Sequence, residues 1–343
     1  MRATNWVGDA VMSIPALQLL RAHHPDAFIA ILARPWVAQL YGRESFCDEL
    51  IRYEAPRGWR GLGRKLALAR ELRARKFDCA ILLPNAFEAA LLVSLAGISV
   101  RIGYARDGRG ALLTHSIARP RAGETPPHQR FYYLELLRRA GLIEDYSASA
   151  AIRLGGASAA AAAGRKHFES AAVSLPVIGV SPGAASGGAK RWLPERFADA
   201  AVQVAREREA AVAVFGSREE QPICEIVRER VGAAGIRCFN FAGATSLGAF
   251  IELAAACEIF LTNDSGPMHI ASALGIPTVA VFGATNEYAT GPTGEASLVV
   301  REGVECSPCL LRECPIDHRC MTRVSSERVA QSALNLVAAE QKK

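Results

Sequence analysis

Three short polar turns in the second half of the sequence contain the residue types that bind phosphate groups. Residues 181–192 are rich in glycine, alanine and serine and include Lys190 and Arg191. Small residues let backbone N–H groups approach an anion, and the two cationic side chains match the charge of a diphosphate. Residues 263–269 and 282–286 form two further turns, each directly after an apolar run. For residues 181–192, the alternative interpretation is a flexible surface loop.

The turn at residues 263–269 precedes a stretch typical of a helix. Asp264 or Ser265 can cap that helix, and capping alone explains these residue types. The N–H groups of Ser265 and Gly266 would also bind a phosphate at the helix N-terminus. Because parallel strands end at one edge of a sheet, three polar turns after three strands are expected to converge there. The sequence therefore favours a nucleotide site in the second half of the chain.

Two common phosphate-binding motifs are absent from the sequence. No G-x-G-x-x-G opens a helix after a strand, and no G-x-x-x-x-G-K-[ST] occurs. These motifs serve dinucleotide-dependent oxidoreductases and P-loop enzymes respectively, so both classes lose most of their support.

One carboxylate near the start of the chain has a possible chemical role. Asp9 follows Asn5-Trp6-Val7-Gly8 and opens a helical stretch with regularly spaced apolar residues. On its own, a carboxylate at a helix start is a cap. Glycosyl transfer needs a base for the acceptor hydroxyl and positive charge for the departing diphosphate. In such a reaction Asp9 and the polar turns would divide these two tasks between opposite domains.

Short β-rich runs alternate with helical stretches along the chain, which predicts parallel sheets wound with helices. Strands are predicted at residues 28–33, 50–53, 79–83, 100–103, 177–181, 211–215, 238–241, 259–262 and 278–282. Helices are predicted at residues 10–22, 62–75, 87–95, 130–140, 159–172, 194–207, 219–231, 247–256, 266–274 and 326–339. The fold class is therefore α/β, with two doubly wound, Rossmann-like domains that face each other across a cleft.

The domain boundary is predicted from a change in composition. Residues 147–163 are rich in alanine, serine and glycine and contain few large apolar side chains, as an interdomain connection does. We expect an acceptor-binding domain at residues 1–150 and a nucleotide-sugar-binding domain at residues 151–325. The last segment, residues 326–343, is expected to form a helix that packs back on the first domain.

Charge is distributed unequally between the two halves. Residues 1–170 contain 24 Lys and Arg against 15 Asp and Glu, whereas residues 171–343 contain 16 against 19. A basic first half indicates an anionic partner, and the densest basic run spans residues 57–76. The run is either a solvated helix face or a surface for anionic lipid headgroups or a phosphorylated glycolipid. We found no secretory signal or membrane span, so we expect a cytoplasmic protein.

Five segments together resemble glycosyltransferase family 9, whose fold is of the GT-B type. They are WVGDAVMSIPAL (6–17), SPGAASGGAKRW (181–192), FGS (215–217), NDSGPMHIASALGIP (263–277) and VFGAT (281–285). The resemblance covers nearly the whole chain and implies an inverting, metal-independent enzyme that requires no cofactor. Such enzymes transfer L-glycero-D-manno-heptose from ADP-heptose to the inner core of lipopolysaccharide.

The resemblance also implies roles for individual residues. Asp9 corresponds to the general base, and Lys190 to the catalytic lysine that contacts the phosphates and sugar of the donor. Asp264 matches an acid near the transferred heptose, and the phosphate-binding positions fall on Ser186, Ser265 and Gly266. An acid that holds the ribose corresponds to Glu219 or to Glu220, and the resemblance does not choose between them.

Within the family, the AKRW element and the cysteine-rich segment resemble the enzymes that add the second heptose. The acceptor would then be heptosyl-Kdo-lipid A, an anionic, membrane-anchored molecule, which implies a peripheral position at the inner face of the inner membrane and no nucleic-acid partner. A first heptosyltransferase, another ADP-sugar transferase and a non-catalytic nucleotide-sugar-binding protein are the alternatives. Family members usually have an apolar strand before the W-x-G-D turn, whereas only residues 1–5 precede Trp6 here. Either the start is placed too late, or the first sheet lacks a strand.

Four cysteines lie close together near the end of the chain. Their spacing is C-x2-C-x4-C-x5-C, with His318 nearby. Four thiolates could form a tetrahedral structural zinc site, while free thiols and a redox-sensitive pair are the alternatives. The candidate ligands are Cys306, Cys309, Cys314 and Cys320.

Overall fold

The chain forms two compact α/β units, residues 1–150 and residues 151–343. The computed structural model describes residues 1–54, 61–149, 151–185 and 187–342. We call the two units the first unit and the second unit and describe each by itself. Among the described residues, no helix combines the length and the apolar character needed to cross a bilayer.

The first unit contains a parallel sheet surrounded by helices. Its strands are β1 (Ala30–Ala33), β2 (Glu49–Arg52), β3 (Cys79–Leu82), β4 (Val100–Tyr104) and β5 (His115–Ile117). Its helices are α1 (Val7–His23), α2 (Pro35–Tyr41), α3 (Leu62–Ala74), α4 (Phe87–Leu95) and α5 (Gln129–Arg139). All strand pairs are parallel.

The first residues of the chain lie between β1 and β3 and join the two parts of this sheet. Arg2 bridges in parallel to Leu32 on one side and to Leu82 on the other. The strand order is therefore β2–β1–(residues 1–3)–β3–β4–β5. This short segment comes directly before the W-x-G-D turn, where we considered from the sequence that the first sheet lacks a strand. An apolar cavity of about 220 Å³ is lined by Met1 together with residues that begin β1 and β3.

The second unit contains a larger parallel sheet. Its strands are β6 (Val177–Ser181), β7 (Ala211–Val214), β8 (Cys238–Asn240), β9 (Ile259–Asn263), β10 (Thr278–Phe282) and β11 (Ser297–Arg301). Its helices are α6 (Ala157–Ser170), α7 (Pro194–Arg208), α8 (Gln221–Ala233), α9 (Leu247–Ala255), α10 (Gly266–Ala273), α11 (Glu287–Thr290), α12 (Arg319–Thr322) and α13 (Ser326–Glu340). The strand order is β8–β7–β6–β9–β10–β11.

The core of the second unit explains why its central strands are continuous apolar runs. Every residue of β6, β9 and β10 is buried, as expected for parallel strands covered by helices on both faces. Trp192 is fully buried, packs edge-on against Phe197 and donates its indole N–H to the carbonyl of Val324 at 3.1 Å.

Helix α13 packs within the second unit. Its buried residues Val329, Ala333 and Val337 belong to the same apolar core as Trp192 and the central strands. The amphipathic face of α13 therefore has its partner in the core of the second unit.

The predicted alternation of strands and helices into parallel sheets is confirmed, and most element limits differ by one to three residues. The prediction missed β5, β11 and the short helices α2, α11 and α12. Strands β5 and β11 lie at sheet edges, where side chains are more exposed and the apolar pattern is weaker.

Candidate functional site

The sheet of the second unit reverses its direction of winding between β6 and β9. Strands β7 and β8 follow on one side of β6, whereas β10 and β11 follow on the other side of β9. Open α/β sheets bind ligands outside the carboxyl ends of the strands at such a switch point. The loops after Ser181 and Asn263, which were predicted to bind the nucleotide, both start there.

The three polar turns meet at one ion pair. The Nζ atom of Lys190 lies 2.7 Å from Oδ2 of Asp264, and the hydroxyl of Thr285 donates to the same oxygen at 2.6 Å. Asp264 is buried and Lys190 is partly exposed. Each of the three turns thus contributes one side chain to a single polar cluster, as the parallel arrangement of the strands predicts.

Asn263, the first residue of the second turn, holds that turn against the first one by hydrogen bonds. Its side-chain oxygen accepts a hydrogen bond from the backbone N–H of Trp192 at 2.9 Å. Its side-chain nitrogen donates to the carbonyl of Pro182 at 2.8 Å. Asn263 is fully buried, so each lost bond would leave an unsatisfied polar group. The sequence did not indicate that Asn263 links the two turns, because its partners are 71 and 81 residues away along the chain.

Helix α10 begins at the polar cluster. Ser265 occupies the N-cap position, yet its side chain makes no capping hydrogen bond. Its hydroxyl lies instead 3.3 Å from the hydroxyl of Thr262. Gly266 is the first residue of the helix and is followed by Pro267, which has no N–H group. Simple capping therefore does not account for Ser265, and the start of α10 can face an anion.

The two candidate ribose acids differ in position. The carboxylate of Glu220 accepts a hydrogen bond from the N–H of Ser217 at 2.9 Å and lies so close to Gly183 that a Cβ atom there would be 2.2 Å from it. Glu219 is exposed, and hydrogen bonds from its own backbone N–H and from Ser217 hold the pKa of its carboxyl below the ordinary value. The geometry favours Glu220 over Glu219 as the acid beside the first turn. Ser186 lies outside the described residues.

Asp9 lies in the first turn of α1, directly after the central segment of the first sheet. The N-cap residue of α1 is Trp6, which makes no side-chain capping bond. The hydroxyl of Tyr133, on α5, donates to Oδ1 of Asp9 at 3.1 Å. Burial, together with the Asp9 carboxylate, raises the pKa of Tyr133 well above its ordinary value, so the phenol remains a donor. The sequence gave no signal for Tyr133, which is 124 residues from Asp9.

Cationic and aromatic side chains lie at the carboxyl ends of the first unit's strands. The Arg34 guanidinium, directly after β1, lies 4.6 Å from the centre of the Tyr53 ring and 6.0 Å from the Trp36 ring. The Trp36 indole N–H donates to the carbonyl of Asn5 at 2.9 Å. Aromatic rings beside a cation form a surface suited to an anionic sugar.

The basic run is only partly described, since residues 55–60 lie outside the described residues. In the described part, Arg64 and Arg70 on α3 are exposed. Arg75 pairs with Glu49 and Glu71, and Lys65 pairs with Glu88 at 3.2 Å. The run therefore combines paired and solvent-facing cations.

The four clustered cysteines line one small apolar cavity of about 70 Å³ together with His318. All four are free thiols, and burial together with the neighbouring thiols raises the pKa of Cys320. Among the described residues, no group of three or more His, Cys, Asp or Glu side chains is arranged to hold a metal ion. A structural zinc ion at Cys306, Cys309, Cys314 and Cys320 stays a prediction.

Comparison with known proteins identifies the family of this chain. The family model described as glycosyltransferase family 9 (heptosyltransferase) matches residues 65–319. The chain belongs to this family and is a glycosyltransferase, as predicted.

Individual relatives point to one branch of the family. The chain is 32% identical over 301 residues to lipopolysaccharide heptosyltransferase 2 of Escherichia coli K12, covering 87% of this chain and 86% of that protein. It is 32% identical over 320 residues to lipooligosaccharide heptosyltransferase 2 of Haemophilus influenzae, with the same coverage of both chains. The structure of ADP-heptose LPS heptosyltransferase II from E. coli superposes with a TM-score of 0.83 and 29% identity, over 99% of this chain and 98% of that one. The predicted GT-B-type α/β fold is confirmed by this match.

Proposed function

We propose that this glycosyltransferase transfers heptose from ADP-L-glycero-D-manno-heptose to the heptosyl-Kdo-lipid A inner core of lipopolysaccharide. One structural observation carries the proposal, namely the meeting of Lys190, Asp264 and Thr285 at the switch point of the second sheet. Similarity to proteins named heptosyltransferase 2 supports this acceptor over that of a first heptosyltransferase. The same similarity favours an enzyme over a non-catalytic nucleotide-sugar-binding protein.

In this proposal the donor binds to the second unit. Lys190 and the N–H groups at Ser265 and Gly266 receive the diphosphate, because a full positive charge and a helix N-terminus both stabilise an anion. Asp264 holds Lys190 at 2.7 Å and lies where the transferred heptose would be. Glu220 is proposed to contact the ribose. These groups stabilise the negative charge that develops as ADP departs, and we propose that no metal or other cofactor is required.

Asp9 is proposed to be the general base. The acceptor hydroxyl oxygen forms a bond to the anomeric carbon while the bond from that carbon to the diphosphate oxygen breaks. The hydroxyl proton passes to the Asp9 carboxylate, and the electron pair of the broken bond leaves with ADP. A single displacement of this kind inverts the configuration at the anomeric carbon. The proposal requires Asp9 and Lys190 to act on one bound donor–acceptor pair.

The acceptor is proposed to approach the first unit from a membrane. Arg34 and the exposed cations Arg64 and Arg70 would attract the anionic inner core and anionic lipid headgroups. We therefore propose that the enzyme is a peripheral protein at the cytoplasmic face of the inner membrane and has no nucleic-acid partner.

The test is an assay of ADP release from ADP-heptose with purified acceptors. We expect turnover on heptosyl-Kdo-lipid A to exceed turnover on Kdo-lipid A, and the reverse preference would contradict the proposed acceptor. Asp9→Asn should lower kcat about 100-fold or more while ADP still binds, because only proton transfer is removed. Lys190→Ala should lower kcat/KM about tenfold to 100-fold.

Two exposed residues provide matched controls. Asp26→Asn and Lys166→Ala remove the same charges from exposed positions in the first and second units, and both should retain wild-type kinetics. If Asp9→Asn or Lys190→Ala behaves like its control, that residue does not belong to the catalytic machinery.

A further inference from the structure

Residues 305–320, which we call the cysteine-rich segment, contact the short turn that carries Lys190. The turn is a single 3-10 turn, Gly188–Lys190. The N–H of Ala189 donates to the carbonyl of Arg312 at 3.0 Å, and the N–H of Gly188 donates to Oε1 of Glu313 at 3.0 Å. The Nε2–H of His318 donates to the carbonyl of Ala189 at 3.0 Å. Three hydrogen bonds therefore connect this turn to a part of the chain more than 120 residues away.

Gly187, which precedes the turn, and Gly188, its first residue, lie very close to the cysteine-rich segment. A Cβ atom on Gly187 would lie 2.2 Å from the carbonyl oxygen of Arg312, and Gly187 has a φ of +129°, which side chains rarely adopt. A Cβ atom on Gly188 would lie 2.5 Å from Oε2 of Glu313. A larger residue at Gly187 would push the two backbone segments apart, whereas one at Gly188 would displace the Glu313 side chain.

The same segment also holds the third polar turn. The Ser307 hydroxyl donates to the carbonyl of Gly283 at 2.6 Å, and the N–H of Leu310 donates to the carbonyl of Ala284 at 2.8 Å. The next residue, Thr285, donates to Asp264. The cysteine-rich segment thus contacts both turns whose side chains meet on Asp264.

His318 has a backbone conformation that indicates a specific role. Its φ of 57° lies in the left-handed region, which is unfavourable for a residue with a side chain. Its imidazole is half-buried, lines the thiol cavity and reaches Ala189 from that side.

We infer that Glu313 and His318 are positioning residues for donor binding. They fix the Gly188–Lys190 turn so that the Lys190 ammonium faces Asp264 and the diphosphate of the donor. The inference rests on the proposed function, in which Lys190 contacts the donor. It also gives the cysteine-rich segment a role that needs neither a metal ion nor a disulfide, because the backbone and these two side chains make the contacts.

The test compares alanine substitutions with conservative substitutions at the same positions of the full-length enzyme. Glu313→Ala removes the hydrogen-bond acceptor for the N–H of Gly188 and should raise the KM for ADP-heptose and the Kd for ADP about threefold. Glu313→Gln keeps an acceptor oxygen and should show the wild-type values of both constants. His318→Ala should raise the same constants about tenfold. His318→Gln places its amide nitrogen where Nε2 lies and should recover most of the affinity, whereas His318→Asn should not.

Controls separate this positioning role from a loss of folding and from failure of the proposed site. Asp317→Asn changes a charge in the same segment on a side chain whose partner is Arg319, and it should leave ADP binding unchanged. Glu313 is exposed, so its variants should keep the thermal midpoint of the wild type. If Lys190→Ala weakens ADP binding while Glu313→Ala and His318→Ala do not, the positioning inference is wrong and the site stands. If Lys190→Ala also has no effect, the proposed donor site itself is wrong.

Discussion

The hydrogen bond from Tyr133 to Asp9 allows a sharp kinetic prediction. Tyr133→Phe removes one hydroxyl from a buried helix residue and leaves the ring in place. A hydrogen bond to a charged group contributes about 1.5–3 kcal/mol, and the 3.1 Å distance to a partly exposed carboxylate indicates the lower end of that range. About 1.5 kcal/mol corresponds to about a tenfold change in an equilibrium constant or a rate.

Two effects should follow from this loss. The donated hydrogen bond favours the charged form of the Asp9 carboxylate, so without it the acidic limb of the pH profile of kcat/KM should move to higher pH. The carboxylate also loses a fixed orientation, so kcat at neutral pH should fall by up to about tenfold. The KM for ADP-heptose should stay within about twofold, because no donor-binding group is changed.

The measurement is a pH series of initial rates with saturating acceptor. Tyr132→Phe is the matched control, since it removes the hydroxyl of the neighbouring residue on α5, whose partner is Asn85 at 2.9 Å. A Tyr133→Phe profile that coincides with the wild-type profile would show that the bond to Asp9 has no part in catalysis. A shift of equal size in Tyr132→Phe would assign the effect to the helix instead.

Two further predictions concern stability. Burial alone would raise the pKa of Glu135, but hydrogen bonds from Arg138, Arg139 and Tyr146 lower it to about 2 from an ordinary 4.5. Ionised Glu135 therefore adds about 3 kcal/mol to the free energy of unfolding above pH 4.5, and this contribution is lost as the pH falls towards 2. In Glu135→Gln, the free energy of unfolding measured by urea denaturation should depend less on pH in this range. Parallel curves for the variant and the wild type would contradict the assignment. Asn263→Ala should lower the free energy of unfolding by about 3 kcal/mol and weaken ADP binding in calorimetry, because two buried partners lose their bonds; wild-type stability would refute the role of Asn263.

Much of the fold follows from local sequence patterns. The central strands β6, β9 and β10 are fully buried, and their apolar runs predicted them to within one residue. Edge strands carry a weaker pattern, because one side faces solvent or a loop, and β11 was missed for that reason. The packing of α13 could not be predicted, since its apolar stripe shows that it needs a partner and not which unit supplies it.

The candidate site also contains residues that the sequence predicted and residues that only the structure shows. The polar turns were predictable because each directly follows a buried strand, and parallel strands bring such turns together. Tyr133, Glu313 and His318 were not predictable as site residues, because each acts through a single contact to a residue more than 100 positions away. The ordering of Glu220 ahead of Glu219 also required the structure, since only the backbone shows which side chain lies against Gly183.

The long sequence separation within the donor site has a consequence for synthesis on the ribosome. Gly188 and Glu313 are 125 residues apart, and Ala189 and His318 are 129 apart. Chains fold from the N-terminus as they emerge, so β6 and its following loop leave the ribosome long before residues 305–320 do. A nascent chain halted before residue 305 lacks the contacts that shape the Gly188–Lys190 turn. If the proposed donor site is right, such an unfinished chain should bind nucleotide more weakly than the full-length protein, because the turn that carries Lys190 is not yet held by residues 305–320.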